Sequence, residues 1–192
     1  TTRDAIDTRF VREDISFVLI DTAGMRRKAK IDQPVERYSV IRSLRAIDRA
    51  DIVLMVIDGV DGVTEQDKKI VGYAHDAGKG TVIVVNKWDL VEKDSKTSLR
   101  YTETIRAELA FMQYAPVLYM SALTKQRVQR LPELVKFVAD QHAMRISTSV
   151  LNQVMEDAQI VNPPPTSGSK RLKIYYTTQA DVKPPTFIFF VN

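Results

Sequence analysis

A short apolar run at residues 81–85 ends directly in the polar motif Asn86-Lys87-Trp88-Asp89. A run of this length, rich in β-branched residues, is typical of a strand that is buried on both faces of a parallel sheet. The polar motif is then expected in the loop at the carboxyl end of that strand, where open α/β folds bind ligands. This apolar run with a polar motif at its end favours folds in which several strands end in polar loops at one edge of a sheet.

Two further segments repeat this arrangement. Residues 15–20 are apolar and end in Asp21-Thr22-Ala23-Gly24, and residues 117–120 end in Ser121-Ala122. The carboxyl ends of parallel strands meet at one edge of a sheet, so we expect the three motifs to form a single site.

The Asn86-Lys87-Trp88-Asp89 motif is chemically suited to reading guanine. The carboxylate of Asp89 can accept two parallel hydrogen bonds, from the ring N–H and the exocyclic amine of guanine, a pair that adenine does not offer. The amide of Asn86 can tie the loop to its neighbours or meet the base edge. The alkyl stem of Lys87 can lie along the ring while its ammonium stays solvated. The alternative is an ordinary polar turn, in which Asn and Asp are common.

Of the other two motifs, the one at residues 21–24 suits phosphate and Mg²⁺ binding, and the one at Ser121-Ala122 suits support of the base-reading loop. Asp21 can hold a water on Mg²⁺, and Gly24, which lacks a Cβ, lets its backbone N–H approach a terminal phosphate. Ser121 and Ala122 can brace the base loop and offer a backbone N–H to the guanine oxygen. We therefore assign nucleotide binding to Asp21, Thr22, Ala23, Gly24, Asn86, Lys87, Asp89, Ser121 and Ala122.

Apolar periodicity elsewhere predicts an α/β fold in which strands and helices alternate. The runs 7–11 and 15–20 are separated by three polar residues, which predicts a hairpin and one antiparallel edge strand. Thr64 is expected to cap a helix that ends near Gly78. Two stripes at helical spacing predict buried helix faces: Tyr101, Ile105 and Leu109, and Leu134, Val135, Val138 and Ala139.

The pattern changes after His142, which predicts a second domain. Ser147-Thr148-Ser149 is expected to cap a helix with Val150, Leu151, Val154 and Met155 on one face. Segment 163–169 begins with three prolines, and we predict a loop or linker there that neither continues a helix nor pairs in a sheet.

With these motifs in place, the chain resembles the GTPase domains of the Era/TrmE/Der group, and most closely the C-terminal part of the Der (EngA) family. Thr1-Thr2-Arg3-Asp4 resembles the first switch of that group, residues 21–28 the second, and residues 163–187 its KH-like domain. The resemblance implies a P-loop NTPase-type GTPase domain in residues 1–146, with a mostly parallel sheet. It implies an incomplete α+β KH-like domain in residues 147–192.

The resemblance also implies a function. Der proteins are bacterial cytoplasmic GTPases with two tandem GTPase domains that act in assembly of the large ribosomal subunit. It implies GTP or GDP, Mg²⁺ and K⁺ as ligands, ribosomal RNA as a partner, and a contact between the GTPase and KH-like domains. Thr2 would coordinate Mg²⁺ and sense the γ-phosphate, and Gly24 would move when that phosphate leaves.

Met25 follows Gly24, where many small GTPases place a Gln that orients the attacking water. A thioether cannot do this, and the resemblance implies catalysis assisted by K⁺ instead. That ion would be held partly by an Asn of a phosphate loop, but no G-x-x-x-x-G-K-[S/T] segment occurs in the 192 residues. We therefore expect the protein to extend upstream of Thr1, and similarly beyond Asn192.

The last segment is basic, with Lys170, Arg171, Lys173 and Lys183 against only Asp181. Aromatic residues interleave with these four cations, which are candidate ribosomal RNA contacts because single-stranded nucleic acid can use both cations and aromatic faces. The alternative is a small sheet with an aromatic core and a solvated basic face. Since no G-x-x-G loop is present, a protein-docking role also stays open.

Composition narrows the remaining classes. The chain has no Cys, which excludes disulfides and thiolate metal sites, and its longest apolar run, 52–57, is too short to span a bilayer. Three functions stay open: a GTP-hydrolysing switch, a nucleotide-binding RNA or ribosome docking scaffold with negligible hydrolysis, and an RNA-binding module with a vestigial GTPase domain.

Overall fold

Strand β4 (Gly80–Asn86) is the centre of a parallel sheet, paired on one side with β3 (Ile52–Asp58) and on the other with β5 (Val117–Tyr119). This computed structural model describes residues 6–12, 15–21, 44–167 and 170–192. Residues 80–85 are all buried, as expected for a central strand covered on both faces. The predicted parallel sheet is confirmed, and its three strands end at one edge.

The two faces of β4 pack into separate apolar clusters because side chains alternate along a strand. Ile83 and Val85 pack with Ile105, and Val82 and Val84 pack with Val138 on the other face. The sheet is therefore covered on both sides, which holds the end of β4 in place.

Three helices follow these strands: α1 (Glu65–Asp76), α2 (Thr97–Glu108) and α3 (Arg130–His142), and residues 44–49 are also helical. A short 3-10 turn, Ala110–Met112, follows α2. Thr64 caps α1 as predicted, because its hydroxyl accepts from the N–H of Asp67 at 3.2 Å, and the carboxylate of Asp67 accepts from the N–H of Thr64 at 3.0 Å. Gly78 has a φ of 65°, the predicted left-handed stop. No described helix has the length and apolar character that a bilayer crossing needs.

Strands β1 (Ile6–Arg12) and β2 (Ile15–Asp21) form the predicted antiparallel hairpin, with Phe10 opposite Phe17. In the part of the chain that the structure describes, this hairpin is a sheet of its own, so the prediction that it adds an antiparallel edge strand to the parallel sheet is wrong for these residues. Asp21 ends the hairpin at its open end.

The chain divides into two compact units between Ala139 and Asp140. The second unit contains helix α4 (Thr148–Val161), the short strands β6 (Thr166–Ser167) and β7 (Lys170–Arg171), and the hairpin of β8 (Ile174–Val182) and β9 (Pro185–Val191). The predicted domain boundary at residue 146 stays a prediction.

Helix α4 is attached to β8 by a side chain, that of Asn152, which makes two hydrogen bonds to the strand backbone. The amide of Asn152 donates to the carbonyl of Thr177 and accepts from its N–H, both at 2.8 Å. This pair satisfies both backbone groups of one strand residue.

In this unit one sequence prediction was wrong, and a second is confirmed in the position of the helix start but not in its capping bond. Thr166 and Ser167 pair with Arg171 and Lys170, because unlike the prolines before them they have N–H groups to donate. Ser147 occupies the N-cap position of α4 without a capping hydrogen bond from its side chain. Its hydroxyl lies 3.5 Å from that of Ser149 instead.

The predicted apolar face of α4 is only partly buried. Leu151 is in the interior of the unit, whereas Val150 and Val154 are exposed. Val150 and Val154 are each two positions from Asn152 and therefore lie on the opposite side of the helix from the residue that bonds β8.

Candidate functional site

Asn86, the last residue of β4, joins two loops at the edge of the parallel sheet. Its Oδ1 accepts a hydrogen bond from the N–H of Ala122 at 3.0 Å, and its carbonyl accepts from the N–H of Gly59 at 2.8 Å. The structure therefore shows the first of the two roles that the sequence allowed for Asn86, which is tying the loop to its neighbours.

The loop after β4 is held by the packing of a buried aromatic side chain, Trp88. Trp88 packs against Tyr119 and Tyr101, with ring centroids 4.4 Å and 5.4 Å away. The backbone N–H of Trp88 donates to the carbonyl of Met120 at 3.1 Å, which joins the loop to the chain after β5. The motif is thus held by both backbone and side chain.

Asp89, the residue after Trp88, is partly buried. Its Oδ1 is shielded from solvent and has no hydrogen-bond partner among the residues that the structure describes. A buried acceptor without a donor costs about 1–3 kcal/mol. A ligand edge that carries N–H groups would remove that cost, so the site fits a guanine base.

Ser121 and Ala122 brace the loop as predicted. Ser121 is fully buried, its hydroxyl accepts from the N–H of Thr124 at 3.1 Å, and its own N–H donates to the carbonyl of Gln126 at 3.1 Å. The N–H of Ala122 is donated to Asn86. Both backbone N–H groups are therefore engaged within the protein, which differs from the prediction that one is available to guanine.

Lys87 has a left-handed backbone, with φ of 58°, and its Nζ lies 2.6 Å from Oδ2 of Asp58. The side chain of Lys87 is exposed, as predicted, but its ammonium is also ion-paired, because the end of β3 provides a carboxylate. Sequence reasoning missed Asp58. The signal that could have found it is an Asp-Gly pair at the end of a buried strand beside β4.

The phosphate side of the site lies mostly outside the described residues. Thr2, Thr22, Ala23, Gly24 and Met25 are outside them. Asp21 is exposed at the end of β2, and no group of three His, Cys, Asp or Glu residues that could hold a metal occurs in the described part of the chain. The assignment of Mg²⁺ to Asp21 and Thr2 stays a prediction.

The basic residues of the tail are on the surface of the second unit. Arg171, Lys173 and Lys183 are exposed, and Nζ of Lys173 lies 5.4 Å from the ring centroid of Tyr175. The side chain of Lys170 is outside the described residues. Arg171, Lys173 and Tyr175 also line a cavity of about 670 Å³.

The aromatic residues of the tail are not its core. Tyr175, Tyr176, Phe189 and Phe190 are each exposed by more than two fifths, and the buried residues of β8 are Thr177 and Gln179. Phe187 is partly buried, so the alternative of an aromatic core is wrong for these four rings, whereas its solvated basic face is present at Arg171, Lys173 and Lys183.

Comparison with known proteins adds two family matches. Residues 1–87 match a family described as 50S ribosome-binding GTPase. Residues 145–192 match a family described as the C-terminal KH-domain-like region of EngA bacterial GTPase enzymes.

Among curated relatives, GTPase Der of Heliobacterium modesticaldum is 64% identical over all 192 residues, which cover 43% of its length. GTPase Der of Geobacillus thermodenitrificans is 58% identical, with 44% of its length covered. The chain thus spans less than half the length of these relatives.

Solved structures share the fold. A structure of Era in complex with MgGDPNP and a segment of 16S ribosomal RNA has a TM-score of 0.60 at 20% identity, covering 100% of this chain and 66% of that one. Elongation factor SelB of Methanococcus maripaludis has a TM-score of 0.58 at 18% identity, covering 72% of this chain and 28% of that one.

Proposed function

This chain belongs to the Der (EngA) family of GTPases, and on that premise we propose that the protein is a GTP-hydrolysing switch in assembly of the large ribosomal subunit. The proposal places the protein in the bacterial cytoplasm, with the large subunit and its ribosomal RNA as partners. Its ligands are GTP or GDP and Mg²⁺, with K⁺ as a further cofactor.

One observation carries the nucleotide part of this proposal. Oδ1 of Asp89 is a buried acceptor that no described residue satisfies. Guanine brings two adjacent N–H donors, and a carboxylate can accept both. Adenine would leave the carboxylate unpaired in a shielded site, so base selection follows from the cost of a buried unpaired group.

Hydrolysis is assigned to residues on the phosphate side. Thr2 would coordinate Mg²⁺, Asp21 would hold a water of the same ion, and the N–H of Gly24 would meet the γ-phosphate. Thr22 and Ala23 complete that nucleotide-binding loop. Since Met25 cannot orient the attacking water, K⁺ beside the phosphates is proposed to assist the reaction.

Ribosome docking is assigned to the basic tail. Arg171, Lys173 and Lys183 are exposed cations, and Lys170 adds a fourth in the sequence. The cation of Lys173 next to the exposed ring of Tyr175 combines a phosphate contact with a stacking face, which suits unpaired RNA.

A second candidate is a guanine-nucleotide scaffold with negligible hydrolysis. Met25 favours it, because the residue that usually orients water is absent from that position. This scaffold would dock on RNA or the ribosome in one nucleotide state without a catalytic cycle.

The test is steady-state GTP hydrolysis by the full-length protein in K⁺ or Na⁺, with and without large ribosomal subunits. The switch predicts a faster rate in K⁺ and a subunit affinity that differs between GTP and GDP. Tight GTP binding with only background hydrolysis in all conditions would establish the scaffold instead. Ribosome or RNA binding that is unchanged without nucleotide would contradict both and favour the RNA-binding module.

A further inference from the structure

Asp58 and Lys87 form an ion pair between the ends of two adjacent strands. Nζ of Lys87 lies 2.6 Å from Oδ2 of Asp58, and the two side chains differ greatly in exposure, at 55% for Lys87 and 5% for Asp58. The buried partner is therefore the fixed member of the pair. The exposed lysine is the member that could move.

Several bonds hold Asp58 in place. Its Oδ1 accepts from the N–H of Val60 at 2.9 Å, and its carbonyl accepts from the N–H of Gly62 at 2.9 Å. The next residue, Gly59, donates to the carbonyl of Asn86 and accepts from the hydroxyl of Tyr101. The turn after β3 is thus attached to both β4 and α2, which makes it a rigid anchor.

Lys87 needs such an anchor. Its left-handed backbone is uncommon for a residue with a long side chain, and a free lysine stem would sample many rotamers. Ordering that stem only when a ligand arrives would reduce the affinity, whereas a stem held beforehand would not.

We propose that Asp58 is a positioning residue for the guanine-reading loop, which holds Lys87 by its ammonium so that the alkyl stem is already in place to cover the base. This inference rests on the proposed nucleotide site. It assigns to Asp58 a role in nucleotide residence time without direct contact with the nucleotide.

The experiment measures dissociation of mant-GDP from the full-length protein by energy transfer from Trp88, the single tryptophan of these 192 residues. Asp89→Asn, which weakens guanine binding here, identifies the part of the signal that comes from this site and not from a tandem GTPase domain. Asp58→Asn keeps the shape of the side chain and removes its charge, and Lys87→Met keeps the stem and removes its charge. Each should raise the dissociation rate by about tenfold. The double variant should be no faster than either single variant, because both remove one interaction.

Two further variants separate positioning from general stability. Lys87→Arg keeps a cation that can pair with Asp58, and should therefore dissociate more slowly than Lys87→Met. Glu65→Gln, which breaks an exposed ion pair with Lys68 on α1, should leave the rate unchanged. If Asp58→Asn does not fold, the contrast between Lys87→Met and Lys87→Arg decides the question.

Two failures are distinguishable. If the natural protein gives no energy-transfer signal with mant-GDP, the proposed function is wrong and this inference with it. If the natural protein binds but the variants dissociate at its rate, or if the effects of Asp58→Asn and Lys87→Met simply multiply, the positioning role alone is overturned.

Discussion

The side-chain oxygen of Asn86 accepts a hydrogen bond from the backbone N–H of Ala122 at 3.0 Å, across 36 residues of sequence. This bond joins the loop after β4 to the loop after β5. Because Trp88 also donates to the carbonyl of Met120, the two loops form one supported unit beside Asp89.

Asn86→Ala should release the Ala122 loop, since no acceptor then reaches that N–H from β4. We expect the free energy of unfolding to fall by about 0.5–1.5 kcal/mol and the Ala122 amide to exchange hydrogen faster. Amide exchange measured by NMR checks this. The amide of Leu90, which donates to the carbonyl of Lys87, is the internal control. Unchanged exchange at Ala122 would show that the bond to Asn86 does not protect this amide.

Asp89→Asn should change base preference from guanine to xanthine. The amide donates where the carboxylate accepted, so it suits a carbonyl in place of the exocyclic amine. Loss of one partner from a charge-assisted pair should weaken GTP binding by about 2–5 kcal/mol. Titration of the full-length protein with GTP and xanthosine triphosphate measures both effects. Equal GTP affinity in the variant and the natural protein would exclude Asp89 from the site.

Gly59→Ala should destabilise the first unit, because an added Cβ would lie 2.9 Å from the carbonyl oxygen of Asn86 and 3.1 Å from Cγ2 of Val91. Backbone atoms cannot move aside as a flexible side chain can. We therefore expect the free energy of unfolding, measured in urea, to fall by about 1–3 kcal/mol. The matched control is Gly72→Ala in α1, where nothing lies within 4 Å of the added Cβ. That change should stabilise by about 0.5–1 kcal/mol. Similar effects at both glycines would contradict the close approach at Gly59.

Asn152→Ala should loosen α4 from β8, because both backbone groups of Thr177 lose their partner. We expect a loss of about 1–3 kcal/mol in the second unit, with faster amide exchange at Thr177. Gln153→Ala is the control, since among the described residues the side chain of Gln153 bonds only Asp157 on the surface of the same helix. Protection at Thr177 that survives the Asn152 substitution would refute the pairing.

Asp94 should make stability depend on pH in acid. Hydrogen bonds from the Thr97 hydroxyl, the Lys96 N–H and Arg100 lower the pKa of Asp94 from 3.8 to about 2. Because the folded pKa is the lower one, the contribution is complete above the unfolded value and is lost as the pH falls toward the folded value. Urea unfolding of the natural protein and Asp94→Asn at several acidic pH values should show their difference shrinking as pH falls. A difference that stays constant would contradict this pKa.

Local features of the fold were predictable because their signals lie within a few residues of each other. The apolar run before Asn86 predicted the central strand, and Thr64 predicted the start of α1. Ser121 likewise followed a buried strand end. Each of these depends on periodicity or on a short-range hydrogen bond, which neighbouring residues decide.

The predictions that failed depended on longer contacts or on competition between local ones. Thr166 and Ser167 found partners across a turn, and the exposure of Val150 and Val154 depends on what covers α4. The hydroxyl of Ser147 lies near Ser149 and makes no capping hydrogen bond. Composition alone does not predict which strand partner, buried helix face or hydroxyl contact will form.

By itself, the sequence determined the alternation of strands and helices around the central strand, the polar motifs at the strand ends and the resemblance to a GTPase family. Only the tertiary structure decided that Lys87 is paired with Asp58 and that the N–H of Ala122 is donated to Asn86. The physical reason is register: β3 and β4 align so that Asp58 lies opposite Asn86, and this alignment comes from packing of the whole sheet.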